Sequence, residues 1–207
     1  MNDQIEIGGV LLAGGQSRRM GGGDKCLQLL AGRTLLERVI ASVQPQVEHL
    51  ILNANGNPSR FKRYGLPVVS DIVGGFSGPL AGILTGLEWL KSNHPNCKWL
   101  ASFACDAPFL PTDMVSRMMS DTNVKKGALC CASSGGRDQP VFGLWPVNLA
   151  GALRDSLVRE NIRKVDLWTQ KYNLVKIDWQ THPIDPFFNV NTKEDLIIAE
   201  KLIGSTS

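Results

Sequence analysis

Short apolar runs alternate with amphipathic segments through the first half of the chain. Ile7–Leu12 is an apolar run that ends just before Gly14, which predicts a buried strand entering a loop. Thr34 and Glu37 have the spacing of a capping box, and the apolar residues that follow recur at helical spacing. The pattern therefore predicts a strand, a loop and a helix in that order.

Three further apolar runs predict strands, and a polar side chain follows each of them. The predicted strands are Val47–Leu52, Val68–Val69 and Trp99–Ala104. The polar residues after them are Asn53, Asp71 and Asp106, and a helix is predicted from Pro79 to Leu90. This alternation favours an α/β fold, a Rossmann-like, mostly parallel sheet with helices on both faces. The polar side chains should then converge on one cleft at the carboxyl ends of the strands.

The second half of the chain is less regular, and no linker or repeat divides it from the first. A polar turn over Ser133–Asp138 separates two apolar runs. The predicted strands are Gly127–Ala132, Gln139–Trp145, Leu174–Ile177 and Phe187–Val190, and the predicted helices are Val147–Leu157, Ile162–Trp168 and Thr192 to about Ile203. We therefore expect a single domain over residues 1–207.

Composition and charge exclude several classes of function. The chain has 43% hydrophobic and 20% charged residues, and its net charge of +3 comes without a basic run, so no nucleic-acid partner is expected. No apolar segment reaches membrane-spanning length and no basic leader precedes one, so we expect no membrane span and a cytoplasmic protein. The five cysteines form no C-x-x-C pair, which favours reduced thiols over disulfides or a zinc site.

The segment from Leu12 to Lys25, L-A-G-G-Q-S-R-R-M-G-G-G-D-K, carries the most functional information. Its glycines let backbone N–H groups approach a ligand, and successive N–H groups form an anion site. It is not a P-loop, because Asp24 precedes Lys25 and Cys26 follows it. The segment predicts a phosphate-binding loop, and the alternative is a surface loop with solvated charges.

This segment resembles the signature of the molybdenum cofactor guanylyltransferases, a group within the nucleotidyltransferases of Rossmann-like fold. Other pieces match that pattern in the same order: Asn53–Asn55, Gly78–Gly82, Cys105–Phe109 and Phe188–Thr192. The resemblance extends from about residue 7 to residue 203. It implies a fold, a reaction and a set of site residues.

The implied nucleotide is GTP, and the implied cofactor is Mg²⁺. The implied nucleotide-binding residues are Leu12, Ala13, Gly14, Gly15, Lys25, Asn53, Asp71 and Asp106. Lys25 would contact the α- and β-phosphates, Arg19 would help to hold the triphosphate, and Asp106 would bind the metal ion; these three would carry catalysis. Asp71 remains open between the guanine base and the ribose.

The implied acceptor substrate is the molybdenum–molybdopterin cofactor. Asn189 and Asn191 would lie near the pterin, and Arg163 is a candidate contact for its phosphate. Residues up to about 110 would form the nucleotide-binding half and residues from about 111 to 207 the acceptor half. GMP would pass from GTP to the acceptor with release of pyrophosphate, and because the nucleophile is a phosphate oxygen, no general base is needed. Transient contacts with cofactor-biosynthesis and acceptor proteins are also implied.

Two alternatives stay open at this level. One is a related nucleotidyltransferase that uses CTP or a sugar phosphate. The other is a GTP-binding adapter that delivers the cofactor without chemistry. The presence of both Lys25 and Asp106 favours an enzyme over an adapter.

Overall fold

A computed structural model describes residues 5–14, 24–75 and 78–205. Two residues of the predicted site, Gly15 and Arg19, lie outside these ranges. No helix in the described part of the chain is long and apolar enough to cross a lipid bilayer.

A seven-stranded sheet in the order β5-β4-β1-β6-β8-β7-β9 forms the centre of the molecule. Its strands are β1 (Ile7–Leu12), β4 (His49–Asn53), β5 (Val68–Val69), β6 (Trp99–Ala104), β7 (Leu129–Ser134), β8 (Arg137–Pro146) and β9 (Leu174–Trp179). Only β8 runs antiparallel to its neighbours. Leu12 of β1 is in register with Asn53 of β4 and with Ala104 of β6, so the three central strands end in one row.

Helices cover both faces of this sheet, which confirms the predicted fold class. The helices are α1 (Leu35–Val43), α2 (Pro79–Asn93), α3 (Met114–Ser120), α4 (Thr122–Lys125), α5 (Ala150–Val158), α6 (Val165–Thr169) and α7 (Lys193–Ser205). The core on one face joins Leu11 of β1 to α1, α3 and α4. The core on the other face joins Val10 to α2, α5 and α6. Since neighbouring residues of a strand point to opposite faces, Leu11 packs into the first core and Val10 into the second.

Two capping boxes fix the starts of α1 and α7. The Thr34 hydroxyl accepts a hydrogen bond from the Glu37 amide, and the Glu37 carboxylate accepts one from the Thr34 amide. Thr192 and Asp195 exchange the same two bonds ahead of α7. Each pair satisfies amide groups that have no partner inside the helix, as the sequence pattern predicted.

Helix α2 approaches the sheet very closely because small residues face it. A Cβ atom at Gly82 would lie 2.5 Å from Leu12 Cδ2 and closer still to Asn53 Oδ1. Gly78 precedes the helix with a φ of 134°, a conformation that other residues rarely adopt. Pro79 then occupies the first turn as predicted. These residues bring the start of α2 beside the ends of β1 and β4.

The structure corrects several boundaries in the second half and adds elements to both halves. The predicted strand Phe187–Val190 is wrong: Pro186 lacks an amide, and Phe187 and Val190 are buried without joining the sheet. The helix predicted from Ile162 begins only at Val165. Helices α3 and α4, and the short hairpin of β2 (Leu29–Leu30) and β3 (Arg33–Thr34), were not predicted.

Candidate active site

A cavity of about 390 Å³ lies at the carboxyl ends of the parallel strands. This is the edge where the sequence placed its cleft. Loops after β1, β4, β5 and β6, the start of α2, strand β8 and the segment before α7 all contribute to its lining. The lining residues are Leu12, Gly14, Asn53, Asn55, Asp71, Gly78, Pro79, Ala104, Asp106, Gln139, Pro140, Val141, Phe142 and Asn189.

Lys25 and Asp106 form an ion pair beside this cavity. Lys25 Nζ lies 2.5 Å from Asp106 Oδ2 and 2.5 Å from Asn191 Oδ1. Lys25 is only 9% exposed, so its charge is directed inward rather than into solvent. The structure thus brings together three residues that the sequence assigned to phosphate, metal and pterin binding.

The neighbouring acid, Asp24, points away from Lys25 to a different partner. Arg60 Nε donates to Asp24 Oδ2 at 2.5 Å, and Arg60 lies in a short 3₁₀ segment, Pro58–Tyr64. Lys25 itself begins a 3₁₀ turn, Lys25–Leu27. Asp24 thus forms its ion pair with Arg60, and Lys25 forms its ion pair with Asp106.

Two oxygen atoms at the cavity are buried and have no hydrogen-bond partner among the described residues. They are Asp106 Oδ1 and Asn189 Oδ1. A backbone hydrogen bond of 2.9 Å from Val190 N to Asp106 O fixes the Asn189 segment beside the end of β6. Unpaired buried oxygens are costly, and a bound cation is one of the groups that satisfies them.

Asn53, Asn55 and Asp71 form a hydrogen-bonded group on the other side of the cavity. The Asn53 amide donates to Asp71 Oδ1 at 2.9 Å, and the Asn55 amide donates to Asp71 Oδ2 at 2.8 Å. Asn55 Oδ1 in turn accepts a bond from the Asp71 backbone amide. Each carboxylate oxygen of Asp71 therefore already accepts a bond from protein. Asn55 was not among the predicted site residues, although it belongs to the Asn53–Asn55 motif.

Two buried thiols lie under the Lys25–Asp106 pair. Cys26 and Cys105 line a small adjoining cavity with Leu12, Ala13, Lys25 and Asp106. Burial raises the pKa of Cys26 to about 12 and raises the pKa of Cys105 well above its ordinary value. Both side chains are therefore protonated near neutral pH, which excludes them as thiolate nucleophiles. All five cysteines are free, as expected.

Strand β8 supplies a wall of the cavity, and its residues Val141 and Phe142 were not predicted to belong to the site. Gln139 to Phe142 line it, and Phe142 packs on Phe187 with ring centroids 4.9 Å apart. Arg163 lies nearby but does not line the cavity. Its Nη1 donates to Gly75 O at 3.3 Å and its Nε to Asn161 Oδ1 at 2.9 Å.

One group of mixed metal ligands lies at the opposite edge of the sheet. Among the residues that the structure describes, Glu6, His49 and Cys97 bring their ligand atoms within 4.8 Å of one another. They flank the starts of β1, β4 and β6 rather than the ends. Because a six-residue strand such as β1 spans about 20 Å, this group is separate from the cavity.

The fold and the cavity together define a class of protein. A mostly parallel sheet, a Gly-rich segment after its central strand, and a lysine paired with a carboxylate at the next strand end are features that suit an enzyme acting on nucleotide phosphates. The sequence profile described as the MobA-like NTP transferase domain matches residues 9–171. The chain belongs to this family.

Individual relatives agree with this assignment. A molybdenum cofactor guanylyltransferase of Nitrobacter hamburgensis is 53% identical over 94% of this chain and 93% of its own. One from a Bradyrhizobium species is 53% identical over 95% and 92% of the two chains. The crystal structure of molybdopterin-guanine dinucleotide biosynthesis protein A from Archaeoglobus fulgidus superposes with a TM-score of 0.74, at 21% identity, over 96% and 99%. The resemblance seen in the sequence is therefore confirmed.

Proposed function

We propose that this protein transfers GMP from GTP to the molybdenum–molybdopterin cofactor, forming the guanine dinucleotide cofactor and releasing pyrophosphate. The observation that carries the proposal is the meeting of Lys25, Asp106 and Asn191 beside one cavity, although they lie far apart in the sequence. The names of relatives at 53% identity support the choice of GTP and of the pterin acceptor.

The main barrier to this reaction is the repulsion between two polyanions. Two unit charges 4 Å apart interact by about 4 kcal/mol at an effective dielectric constant of 20, and a triphosphate meeting a phosphate multiplies that value. Lys25 supplies a fixed positive charge at the site. Gly78 and Pro79 place the start of α2 at the same cavity, and the positive end of the helix dipole favours an anion there.

The donor atoms at the cavity suit Mg²⁺. Asp106 Oδ1 and Asn189 Oδ1 are hard oxygen atoms that lack a hydrogen-bond partner among the described residues. Mg²⁺ prefers oxygen ligands and usually takes one or two from a protein. We assign Asp106 as the principal ligand, with Asn189 beside it. The ion would supply positive charge to the triphosphate and the leaving pyrophosphate.

Lys25 would then have different partners before and after nucleotide binding. In this structure its ammonium group lies 2.5 Å from Asp106. In the complex it would donate to the α- and β-phosphates, while the freed carboxylate binds the metal. Because the phosphate nucleophile is already an anion, these residues position and neutralise charge, and none acts as a base.

Asn53 and Asp71 would form the part of the site that holds the nucleoside. Both oxygens of Asp71 accept amide hydrogen bonds, so its direct effect is to fix Asn53 and Asn55. Leu12, Ala13 and Gly14 lie at the end of β1, where their backbone would face the base and sugar. The region of Asn189 and Asn191, with Gln139 to Phe142 of β8, would receive the acceptor.

The test is a four-nucleotide assay. Purified protein is mixed with Mg²⁺, the molybdenum–molybdopterin acceptor and GTP, CTP, ATP or UTP, and pyrophosphate and the dinucleotide product are measured. The proposal predicts product with GTP and at most a few per cent with the others. Preference for CTP would establish the related transferase, while tight GTP binding without pyrophosphate release would establish an adapter.

The cellular setting belongs to the same proposal. Synthesis would take place in the cytoplasm, and the product would pass through transient contacts to acceptor enzymes. Fractionation, and crosslinking in cells that express such an enzyme, would test this point. Recovery of the protein only in a membrane fraction would contradict it.

A further inference from the structure

Three different metal-ligating side chains meet at the edge of the sheet opposite the cavity. Glu6 immediately precedes β1, His49 is the first residue of β4, and Cys97 lies two residues before β6. The Sγ, imidazole nitrogen and carboxylate oxygen of the three lie within 4.8 Å of one another. No residue of this group takes part in the proposed transfer reaction.

The spacing of these atoms is close to that of a tetrahedral zinc site. Zinc bonds of about 2.0–2.3 Å place neighbouring ligand atoms roughly 3.3–3.8 Å apart. Cys97 Sγ already lies 3.9 Å from Glu6 Oε2. Binding of one ion would require these atoms to approach one another by about 1 Å or less.

The surroundings of Cys97 and His49 also suit a cation. Cys97 is 1% exposed. Glu6 and Glu48 place negative charge beside its thiol, and Lys98 places positive charge there. The ring of His94 stacks on His49, with the two ring centroids 3.5 Å apart.

We propose that Glu6, His49 and Cys97 form a zinc site that ties together the starts of the three central parallel strands. A thiolate and an imidazole favour Zn²⁺ over Mg²⁺, which prefers oxygen ligands alone. Three protein ligands leave the fourth position of the tetrahedron to water. The ligands are 91 positions apart at the extremes, so no short sequence motif signals this site.

Binding of the zinc ion would release one proton from the Cys97 thiol. The Cys97 Sγ–H bond breaks as the Sγ–Zn bond forms, and the proton passes to solvent. No electron is transferred. The Glu6 carboxylate, which accepts a hydrogen bond from the Cys97 thiol in this structure, would become a ligand of the ion.

Cobalt(II) is the spectroscopic probe for this site. The full-length protein is stripped with a chelator, kept reduced and titrated with Co²⁺. We expect a thiolate-to-cobalt charge-transfer band that saturates at one equivalent and disappears when Zn²⁺ is added. The band should be lost in Cys97→Ser and weakened at least tenfold in affinity in His49→Gln. Absence of the band from wild-type protein, or its persistence in Cys97→Ser, would overturn the proposal.

Matched variants separate this site from other histidines, thiols and the proposed magnesium site. His182→Gln alters an exposed histidine, and Cys130→Ser alters a thiol of β7; both should keep the band. Asp106→Asn should keep it as well. At free zinc about 100 times the dissociation constant, the Tm of wild type should rise by roughly 5–10 °C. Folded His49→Gln should show no such rise, and an equal rise in both proteins would contradict the assignment.

Discussion

Lys25 and Asp106, separated by 81 positions in the sequence, form an ion pair of 2.5 Å at the end of β6. The pair is largely buried, with side chains 11% and 25% exposed. In the proposed reaction Lys25 would contact the phosphates and Asp106 would bind a metal ion. Under that proposal, the two charges would neutralise each other until nucleotide and metal bind.

Replacement of Lys25 tests this exchange of partners. Lys25→Met should slow turnover by about 100-fold or more, because a charge directed at the transferred phosphates is lost. It should also strengthen Mn²⁺ binding in the absence of nucleotide, since Asp106 loses its competing ammonium group. Turnover is followed by pyrophosphate release and Mn²⁺ binding by electron paramagnetic resonance.

The control for Lys25 is Lys62→Met, which removes an exposed lysine from the 3₁₀ segment Pro58–Tyr64. It should leave both turnover and Mn²⁺ affinity unchanged. Weaker Mn²⁺ binding in folded Lys25→Met would contradict the idea that lysine and metal share Asp106.

Replacement of Asp106 tests the metal assignment directly. Asp106→Asn keeps the shape of the side chain and removes its charge, so turnover should fall by roughly 100- to 1,000-fold and the Mg²⁺ requirement should shift to much higher concentrations. A magnesium titration at saturating GTP measures this shift. Asp113→Asn is the matched control, because Asp113 is exposed and its side chain makes no cap bond to α3. An unchanged titration curve in Asp106→Asn would remove it from the metal site.

The sequence predicted the first half of the fold well because local signals were strong there. Apolar runs such as Trp99–Ala104, and the Thr34–Glu37 capping box, specify their elements within a few residues. The polar residues after these strands converge as expected, because parallel strands in register end in one row. Each of these predictions relied on residues that lie close together in the sequence.

Other features depended on contacts that no short pattern encodes. The Phe187–Val190 segment is apolar because Phe187 packs on Phe142 and Trp179, yet it forms no ladder with a strand. The bond of Asn191 to Lys25 spans 166 positions, and the sequence assigned Asn191 only to the pterin. Long-range pairing of this kind appears only when the chain is folded.

Asp71 supplies a prediction about how the nucleoside is held. In Asp71→Asn one carboxylate oxygen becomes a donor that faces the amide of Asn53 or Asn55, so both amides lose their fixed orientation. The KM for GTP should rise about tenfold while kcat changes little. The ratio of kcat/KM for GTP to that for ITP should stay constant, because Asp71 positions Asn53 rather than reading the guanine amino group. A large fall in that ratio would indicate that Asp71 contacts the base directly.

The capping box of α1 should make the free energy of unfolding depend on pH. The Thr34 backbone amide, followed by the Thr34 hydroxyl, lowers the pKa of Glu37. A carboxylate whose pKa is lower in the folded state contributes stability above its unfolded pKa, and the contribution is lost as pH falls through the folded value. Glu37→Gln should therefore lower the urea midpoint at pH 7 and make no difference at a pH below the folded pKa. Equal midpoints of the two proteins at pH 7 would contradict the capping role.

Gly82 tests the close approach of α2 to the strand ends. Gly82→Ala would place a Cβ 2.5 Å from Leu12 Cδ2 and nearer still to Asn53 Oδ1, so the helix or Asn53 must move. We expect a loss of about 1–3 kcal/mol in the free energy of unfolding and weaker GTP binding. Gly151→Ala, in α5, is the matched control because nothing lies within 4 Å of its added Cβ. Urea unfolding should show that variant to be as stable as wild type or up to about 1 kcal/mol more stable. If Gly82→Ala matched Gly151→Ala in both stability and GTP affinity, the packing of α2 would not control the position of Asn53.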